Sequence, residues 1–147
     1  MADYRVDYPA CFTVDDGTVE SIRALRSTGW KLGIITNGAS FQLDKLTATN
    51  LIDEFDAICI SENVGASKPE VAIFEEAARR CGEPLAGWMV GDSLHADIEG
   101  GRRAGLRTIW MARGRTRLRE NPVPDAIVAT IPEAVDIMLG EVSLHAP

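Results

Sequence analysis

The chain is 147 residues long and has few cysteines, few histidines and no long hydrophobic run. No window approaches the roughly 18 consecutive apolar residues of a membrane-spanning helix, and residues 1–10 lack the basic and apolar segments of a signal peptide. The three cysteines follow no metal-binding spacing, which favours a reducing, cytoplasmic setting over a disulfide framework. The net charge of −7 argues against nucleic acid as the main partner. We therefore expect neither a membrane nor a nucleic acid as a partner.

Short apolar runs, each about as long as one strand, alternate with segments of helical spacing. The runs are nearly continuous in apolar residues, as strands buried on both faces are. A later strand and helix follow at 126–129 and 131–139. This alternation predicts an α/β fold, a doubly wound parallel sheet with helices on both faces. The first four runs are KLGIIT (31–36), AICIS (57–61), GWMVG (87–91) and RTIWM (107–111).

The length fits one domain over residues 1–147, without a cap domain. We expect an N-terminal segment at about residues 1–14 and a frayed tail at about 140–147. A helix is predicted from near Glu70, and Gly82 stands where a C-terminal capping glycine would. In such a sheet, ligands bind where the strands reach their carboxyl ends, so the residues that follow the apolar runs are the candidates for function.

Three segments at these strand ends resemble one known family when they are taken together and in order. They resemble the haloacid dehalogenase-like (HAD) hydrolase superfamily, most of whose members are phosphatases. The resemblance extends from about Thr18 to about Leu139 and implies a HAD-like, Rossmannoid core. The segments are GIITNG (33–38), SENVGASKPEVAIF (61–74) and WMVGDSLHADIEGGRRAGLRTIW (88–110).

The resemblance implies a site for a phosphoryl group. Thr36 would donate its hydroxyl to a phosphate oxygen, beside the backbone N–H groups of Asn37 and Gly38. Lys68 would supply a point positive charge to the phosphate and to the attacking carboxylate. Fixed donors and cations suit phosphoryl transfer because charge is carried on the equatorial oxygens of the transferred group. The implied substrate is a small phosphorylated metabolite.

The resemblance also implies a magnesium site. Asp92 would hold Mg²⁺, a hard ion that takes a few carboxylate oxygens and keeps several waters. Asp97 would bind one of those waters or orient Lys68. Lys68 and Asp92 are thus the implied catalytic residues, and Asp92 and Asp97 the implied metal-binding residues. Either aspartate alone could simply complement a helix N-terminus, but their occurrence together with Thr36 and Lys68 favours the HAD-type site.

The stretch ACFTVDDGTVES contains Asp-Gly-Thr but does not match the family's first motif, Asp-x-Asp-x-Thr after an apolar strand. In that motif the first Asp attacks phosphorus and the second acts as general acid and base. If Asp16 is the second carboxylate, Val14 stands at the nucleophile position. If Asp15 is the nucleophile, Gly17 stands at the acid–base position. A helix start capped by Asp15, Asp16 or Thr18 fits better, and Asp16 is kept as a minor candidate for the nucleophile.

The family's motif-bearing strand lies in the middle of the sheet, between the strands that end at Thr36 and Asp92. Asp3 and Asp7 lie upstream, but neither follows an apolar run. We therefore expect the chain to lack this strand and its nucleophile. Something must then satisfy the backbone of the neighbouring strands. The candidates are residues near Tyr8 to Val14, direct pairing of the neighbours, or a segment from another chain, either in a homodimer or as a separate N-terminal piece.

Two functions from different classes follow from these features. One is a Mg²⁺-dependent phosphatase, present as a C-terminal portion without its nucleophile. The other is a non-catalytic HAD-like module that binds a phosphorylated ligand or a protein partner. A dehalogenase is less favoured, because carbon–halogen chemistry does not need the metal that Asp92 and Asp97 suggest.

Three other features have both a structural and a functional interpretation. The run ARGRTRLRE is either a solvated loop or a basic rim that attracts a phosphorylated substrate. We expect His95 to be a partly exposed helix residue and the three tryptophans to pack in the core. The residues concerned are Arg113, Arg115, Arg117 and Arg119 in the run, and Trp30, Trp88 and Trp110 in the core.

Overall fold

The five predicted strands form, and a sixth accompanies them. The computed structural model describes residues 3–6, 16–37 and 52–145. The strands are β1 (Asp3–Val6), β2 (Lys31–Thr36), β3 (Ala57–Ile60), β4 (Gly87–Gly91), β5 (Arg107–Met111) and β6 (Ala126–Val128). Their spatial order is β3-β2-β1-β4-β5-β6, and every pair of neighbours is parallel. This is the doubly wound arrangement that the alternation of strands and helices predicted.

Helices connect these strands and cover the sheet. The helix Val71–Cys81 is capped at its C-terminus by Gly82, as predicted, with a φ of 71°, and the Gly82 N–H donates to the carbonyls of Ala78 and Arg79. No helix within the described ranges is both long and apolar enough to cross a membrane. The helices are α1 (Asp16–Ser27), α2 (Ser61–Val64), α3 (Val71–Cys81), α4 (Gly100–Arg103) and α5 (Ile131–His145), with a 3₁₀ turn at Ile52–Glu54 and a π-helical turn at Leu94–Glu99.

Both faces of the sheet are buried, which explains why the strands are apolar at nearly every position. On one face, Ile22 of α1 and Val135 of α5 pack with Ile34 and Val90 of the central strands. On the other face, α3 supplies the apolar contacts. The second cluster consists of Ile35, Cys59, Ile73, Phe74, Ala77, Met89, Ala104 and Leu106.

The expectation that the central strand is missing is wrong. β1 lies between β2 and β4, and Val6 pairs with Ile34 on one side and Val90 on the other. The gap is therefore filled by residues 3–6 of the same chain, earlier than the segment near Tyr8 to Val14, and not by direct pairing of the neighbours. β1 escaped prediction because it is only four residues long and has two charged residues, so its sequence lacks an apolar run. Hydrogen bonds to a strand on each side stabilise it instead.

The predictions for the two ends of the chain have different outcomes. α1 begins at Asp16, which confirms the helix interpretation of the Asp-Asp-Gly-Thr stretch. α5 extends to His145, and fraying of the tail at about 140–147 stays a prediction. Tyr8 to Val14, Asp7 and Asp15 lie outside the described residues.

Two glycines allow a direct test of how closely α4 packs on the sheet. A Cβ added at Gly101 would lie 2.9 Å from both Met89 Cβ and Thr108 Cγ2, whereas one at Gly140 would meet no heavy atom of the described residues within 4 Å. We expect Gly101→Ala to lower the free energy of unfolding by about 1–3 kcal/mol through overpacking. Gly140→Ala, the matched control in an exposed position of α5, should raise it by up to about 1 kcal/mol. Chemical denaturation followed by circular dichroism measures both, and an unchanged stability of Gly101→Ala would contradict this packing.

Candidate active site

The carboxyl ends of β2 and β4 lie at one level of the sheet. Val6 pairs with both Ile34 and Val90, so the positions two residues further on, Thr36 and Asp92, are level with each other. Because β1 separates the two strands, their backbones are about 10 Å apart. The strand order also reverses between β1 and β4. Open parallel sheets bind their ligands at the position where the order reverses.

A buried ion pair lies at this edge of the sheet. Lys68 Nζ is 2.6 Å from Asp97 Oδ1, and the two side chains are 1% and 0% exposed. Each charge would be costly to bury alone, so each requires the other. Asp97 Oδ2 accepts a hydrogen bond from the backbone N–H of Ser93 at 3.0 Å. The pair therefore holds the Lys68 ammonium beside the loop that follows β4.

The shape of the chain after β4 explains how Asp97 reaches this position. A Cβ on Gly91 would lie 2.2 Å from Asp97 Oδ2, so the carboxylate can approach the strand only because residue 91 is glycine. Ser93 Oγ accepts from the Ala96 N–H at 3.0 Å and caps the following turn. The Ile98 N–H donates to the Ser93 carbonyl, the wide i to i+5 spacing of a π-helical turn. This turn directs Asp97 back toward the end of β4.

The side chain of Asn37 joins the end of β2 to the loop that contains Lys68, residues 65–70 between α2 and α3, which we call the lysine loop. Its Nδ2 donates to the Lys68 carbonyl at 2.9 Å, and its Oδ1 accepts from the Lys68 N–H at 2.8 Å. The backbone of Lys68 is thus bound by the residue that follows Thr36. Through Asn37, Lys68 and Asp97, a continuous series of hydrogen bonds runs from the end of β2 to the loop after β4.

The main chain at Asp92 is held from the β5 side. Its carbonyl accepts from Trp110 Nε1 at 3.0 Å and from Arg115 Nη2 at 2.6 Å. The Arg115 guanidinium also donates to the carbonyls of Met111 and Ala112 and lies 5.5 Å from the centroid of the Trp110 ring. The sequence offered no signal for these contacts, because they join side chains of β5 and its loop to a backbone atom about twenty residues earlier.

The remaining predicted site residues are positioned as follows. Thr36 is 5% exposed, and no other residue in the described part of the chain hydrogen-bonds its hydroxyl. Gly38 lies outside the described residues. The convergence of Thr36, Lys68 and Asp92 on one phosphate stays a prediction. The hydrogen bonds through Asn37 and Asp97 provide a physical basis for it.

The features outside the site agree largely with their structural interpretations. The three tryptophans are buried, as predicted, and His95 is exposed. In the basic run, Arg115 and Arg117 donate to backbone carbonyls of their own and neighbouring loops. These two arginines therefore stabilise the loop after β5, while Arg113 and Arg119 are exposed to solvent.

Among the acidic residues near the site, Asp92 is the one whose environment fits a magnesium ion. The residue is half-buried, and its carboxylate makes no hydrogen bond to any other described residue. Both Asp97 oxygens are engaged, which favours orientation of Lys68 over metal binding. Glu99 pairs with Arg102, whose hydrogen bond lowers the pKa of that carboxyl. Within the described ranges no three potential ligands cluster together, so a magnesium site at Asp92 stays a prediction.

The buried ion pair predicts strong energetic coupling between its two members. Lys68→Met and Asp97→Asn should each lower the free energy of unfolding by about 3–5 kcal/mol, because each removes the opposite charge that faces a buried ionised group. The double variant should lose less than the sum of the two, with a coupling energy of about 2–3 kcal/mol.

A surface pair provides the matched control for this double-mutant cycle. Arg23 and Glu54 are also separated widely in sequence and lie 3.0 Å apart, but their side chains are 61% and 18% exposed. Their coupling energy should be at most about 1 kcal/mol and should fall with added salt. Equal coupling in the two cycles would contradict the dominant role of burial.

Comparison with known proteins identifies the family of the chain. A haloacid dehalogenase-like hydrolase family model matches residues 3–105. The chain is 38% identical over 125 residues to pyrimidine 5'-nucleotidase YjjG of Escherichia coli, covering 83% of this chain and 55% of that protein. It is 36% identical over 126 residues to a glyceraldehyde 3-phosphate phosphatase of Methanopyrus kandleri, covering 82% of this chain and 54% of that protein.

A solved structure gives the same result at the level of the fold. The HAD phosphatase from Thermococcus onnurineus matches with a TM-score of 0.76 and 37% identity, over 85% of this chain and 58% of that one. The chain spans about half the length of the curated relatives it matches. Because the family model matches residues 3–105, over two thirds of the chain, the chain belongs to the haloacid dehalogenase-like hydrolases.

Proposed function

We propose that this chain carries the phosphate-binding and magnesium-binding parts of a phosphatase that acts on a small phosphorylated metabolite in the cytoplasm. The observation that carries the proposal is the buried Lys68 ammonium, fixed by Asp97 and tied through Asn37 to the end of β2. A lysine buried only to stabilise a core would be replaceable by an apolar residue. Here it lies at the strand edge where ligands of this fold bind.

Each residue of the proposed site has a defined task. The Thr36 hydroxyl and the Lys68 ammonium bind the equatorial oxygens of the phosphoryl group, where charge is carried during transfer. Asp97 orients Lys68 and keeps its charge compensated. Asp92 holds Mg²⁺, which, when bound, neutralises negative charge on the phosphate and its attacking group.

The proposal includes the absence of an aspartyl nucleophile from this chain. The Asp-x-Asp-x-Thr motif does not occur in the sequence, and Asp16 begins a helix. The residue that follows β1 in the chain is Asp7, but Pro9 stands where the motif requires the second carboxylate. Phosphate binding needs no nucleophile, so the chain alone should bind phosphate without hydrolysing its esters.

The sequence also supports a second candidate function, a non-catalytic module that binds a phosphorylated ligand or a protein partner. The missing motif favours it, since a binding protein can keep the phosphate donors and lose the nucleophile. Turnover separates the two functions only when the nucleophile is supplied, for instance by a co-expressed segment that contains Asp-x-Asp-x-Thr. Restored turnover supports the phosphatase, whereas binding without turnover supports the module.

The first test combines a hydrolysis assay with a binding titration. We expect no turnover of p-nitrophenyl phosphate with Mg²⁺, and weak binding of phosphate or vanadate by isothermal titration calorimetry. Binding should be lost in Lys68→Ala, because a buried cation contributes most of the attraction for the anion. Thermal unfolding by circular dichroism checks that this variant is folded. Turnover that Asp16→Asn or Asp7→Asn abolishes would overturn the proposal and identify that carboxylate as the nucleophile.

A second test concerns the metal. Asp92→Asn should weaken Mg²⁺ binding at least about tenfold, because a neutral amide replaces the carboxylate proposed to bind the ion. Asp136→Asn, on the exposed face of α5, removes the same charge at a distance and serves as the control. Calorimetric titration with MgCl₂ measures both, and equal affinities in the two variants would refute the assignment of Asp92.

A further inference from the structure

We propose that Asn37 is a positioning residue, whose side-chain amide holds the backbone of Lys68 and thereby aims the ammonium at the phosphate site. The inference rests on the proposed function, because it assumes that Lys68 binds phosphate. It assigns to the Asn37 side chain a task that the family resemblance did not imply, since that resemblance concerned only the backbone N–H.

The geometry of the contact is specific to an amide. Asn37 Nδ2 donates to the Lys68 carbonyl at 2.9 Å, while Oδ1 of the same group accepts from the Lys68 N–H at 2.8 Å. Only a group with a donor and an acceptor side by side can satisfy both backbone atoms of one residue. The two residues are 31 positions apart, so the contact orders a loop rather than a local turn.

The lysine loop is held at several points, and Asn37 provides a contact on the β2 side. Ser67 and Glu70 close the turn, since the Glu70 N–H donates to the Ser67 carbonyl at 2.8 Å and the Ser67 N–H to Glu70 Oε1 at 3.1 Å. Below the loop, the Cα of Pro69 lies 3.0 Å from where a Cβ on Gly100 would stand. These contacts fix the shape of the turn and its distance from α4. Asn37 fixes its position relative to β2.

A fixed backbone matters for lysine more than for most residues. Its ammonium ends a flexible four-carbon chain, so small shifts of the main chain displace the charge or must be absorbed by several torsions. Asp97 determines where the ammonium points, and Asn37 determines where the side chain begins. Because Asn37 directly follows Thr36, the same short segment sets the positions of both phosphate-binding groups.

The positioning role of Asn37 can be tested separately from any contribution of its side chain to the hydrophobic core. Asn37 is exposed to solvent, so Asn37→Ala removes two hydrogen bonds without leaving a cavity in the core. Asn63, exposed on α2, provides a matched control for losing a surface amide. We expect Asn37→Ala to raise the Kd for inorganic phosphate about five- to tenfold and Asn63→Ala to leave it unchanged.

The variant Asn37→Asp gives a readout that a merely structural role would not produce. Its carboxylate can accept from the Lys68 N–H but would repel the Lys68 carbonyl, so phosphate binding should be weak at pH 7.5. Once protonated, the new carboxyl can donate as well as accept, which restores both contacts. The ratio of its Kd to that of the wild type should therefore fall toward one as the pH is lowered toward about 4.

A footprint of Lys68 tests the inference without any phosphate. Lys68 is one of three lysines in the chain and is buried, while Lys31 is exposed and serves as the internal standard. Reductive methylation read by mass spectrometry should label Lys68 about fivefold faster in Asn37→Ala than in wild type or Asn63→Ala. The buried thiols of Cys59 and Cys81 should remain unreactive in Asn37→Ala. Faster labelling of Lys68 in that variant would then not result from global unfolding.

The outcomes separate the two proposals. If Asn37→Ala binds phosphate as the wild type does while Lys68→Ala does not, the inference is overturned and the proposed function stands. If the wild type binds no phosphate, the proposed function fails, and the footprint decides only the part of the inference that has Asn37 position the Lys68 ammonium. Unchanged labelling of Lys68 in Asn37→Ala would then overturn it, and faster labelling with unreactive thiols would support it.

Discussion

The ion pair between Lys68 and Asp97 is the interaction on which the rest of the site depends. Burial of two charges gains little stability by itself, because the cost of removing them from water offsets their attraction. Nearby features nevertheless serve to accommodate the pair. Gly91 leaves room for the carboxylate, the Ser93 N–H occupies its second oxygen, and the π-helical turn directs Asp97 inward. The surrounding structure therefore fixes the position of the charge, and removal of either member alone is what costs stability.

The same pair explains how a cation can remain charged away from solvent. Burial disfavours the ammonium, and a neighbouring carboxylate at 2.6 Å offsets that penalty. A cation kept dry in this way interacts with an arriving anion more strongly than one on the surface, since water screens it less. The exposed arginines after β5 contrast with it, because solvent screens them and two of the four are engaged by backbone carbonyls.

The sequence predicted what depends on local pattern and missed what depends on distant partners. Thr36 and Asp92 were proposed because each lies at the end of an apolar run, and Lys68 because it precedes a proline before a helix, all three within segments that resemble the family. β1 was missed because hydrogen bonds to both neighbours, not apolar side chains, stabilise it. The contacts of Asn37 with Lys68 were missed because the partner is 31 residues away and any loop asparagine has the same local pattern.

The position of the π-helical turn illustrates the same limit within a single motif. The sequence placed Asp97 one to two helical turns after Asp92, which left open whether its carboxylate meets the metal or the lysine. The turn is wider than an α-helix, and with Gly91 beneath it the carboxylate reaches Lys68. No periodicity of apolar residues distinguishes a single wide turn from an ordinary one. The sequence alone therefore left open whether Asp97 binds the metal or orients Lys68.

The hydrogen bonds of the site also bear on whether phosphate binding can be separated from attack on phosphorus. From Asn37 through Lys68 and Asp97 to Ser93, they connect the ends of β2 and β4 through the loop before α3 and the π-helical turn. The groups that we propose to bind phosphate and metal are therefore linked to one another through the end of β2, the loop before α3 and the π-helical turn. Under the proposed function, binding needs these groups and no nucleophile, so binding of phosphate and attack on phosphorus are separable properties.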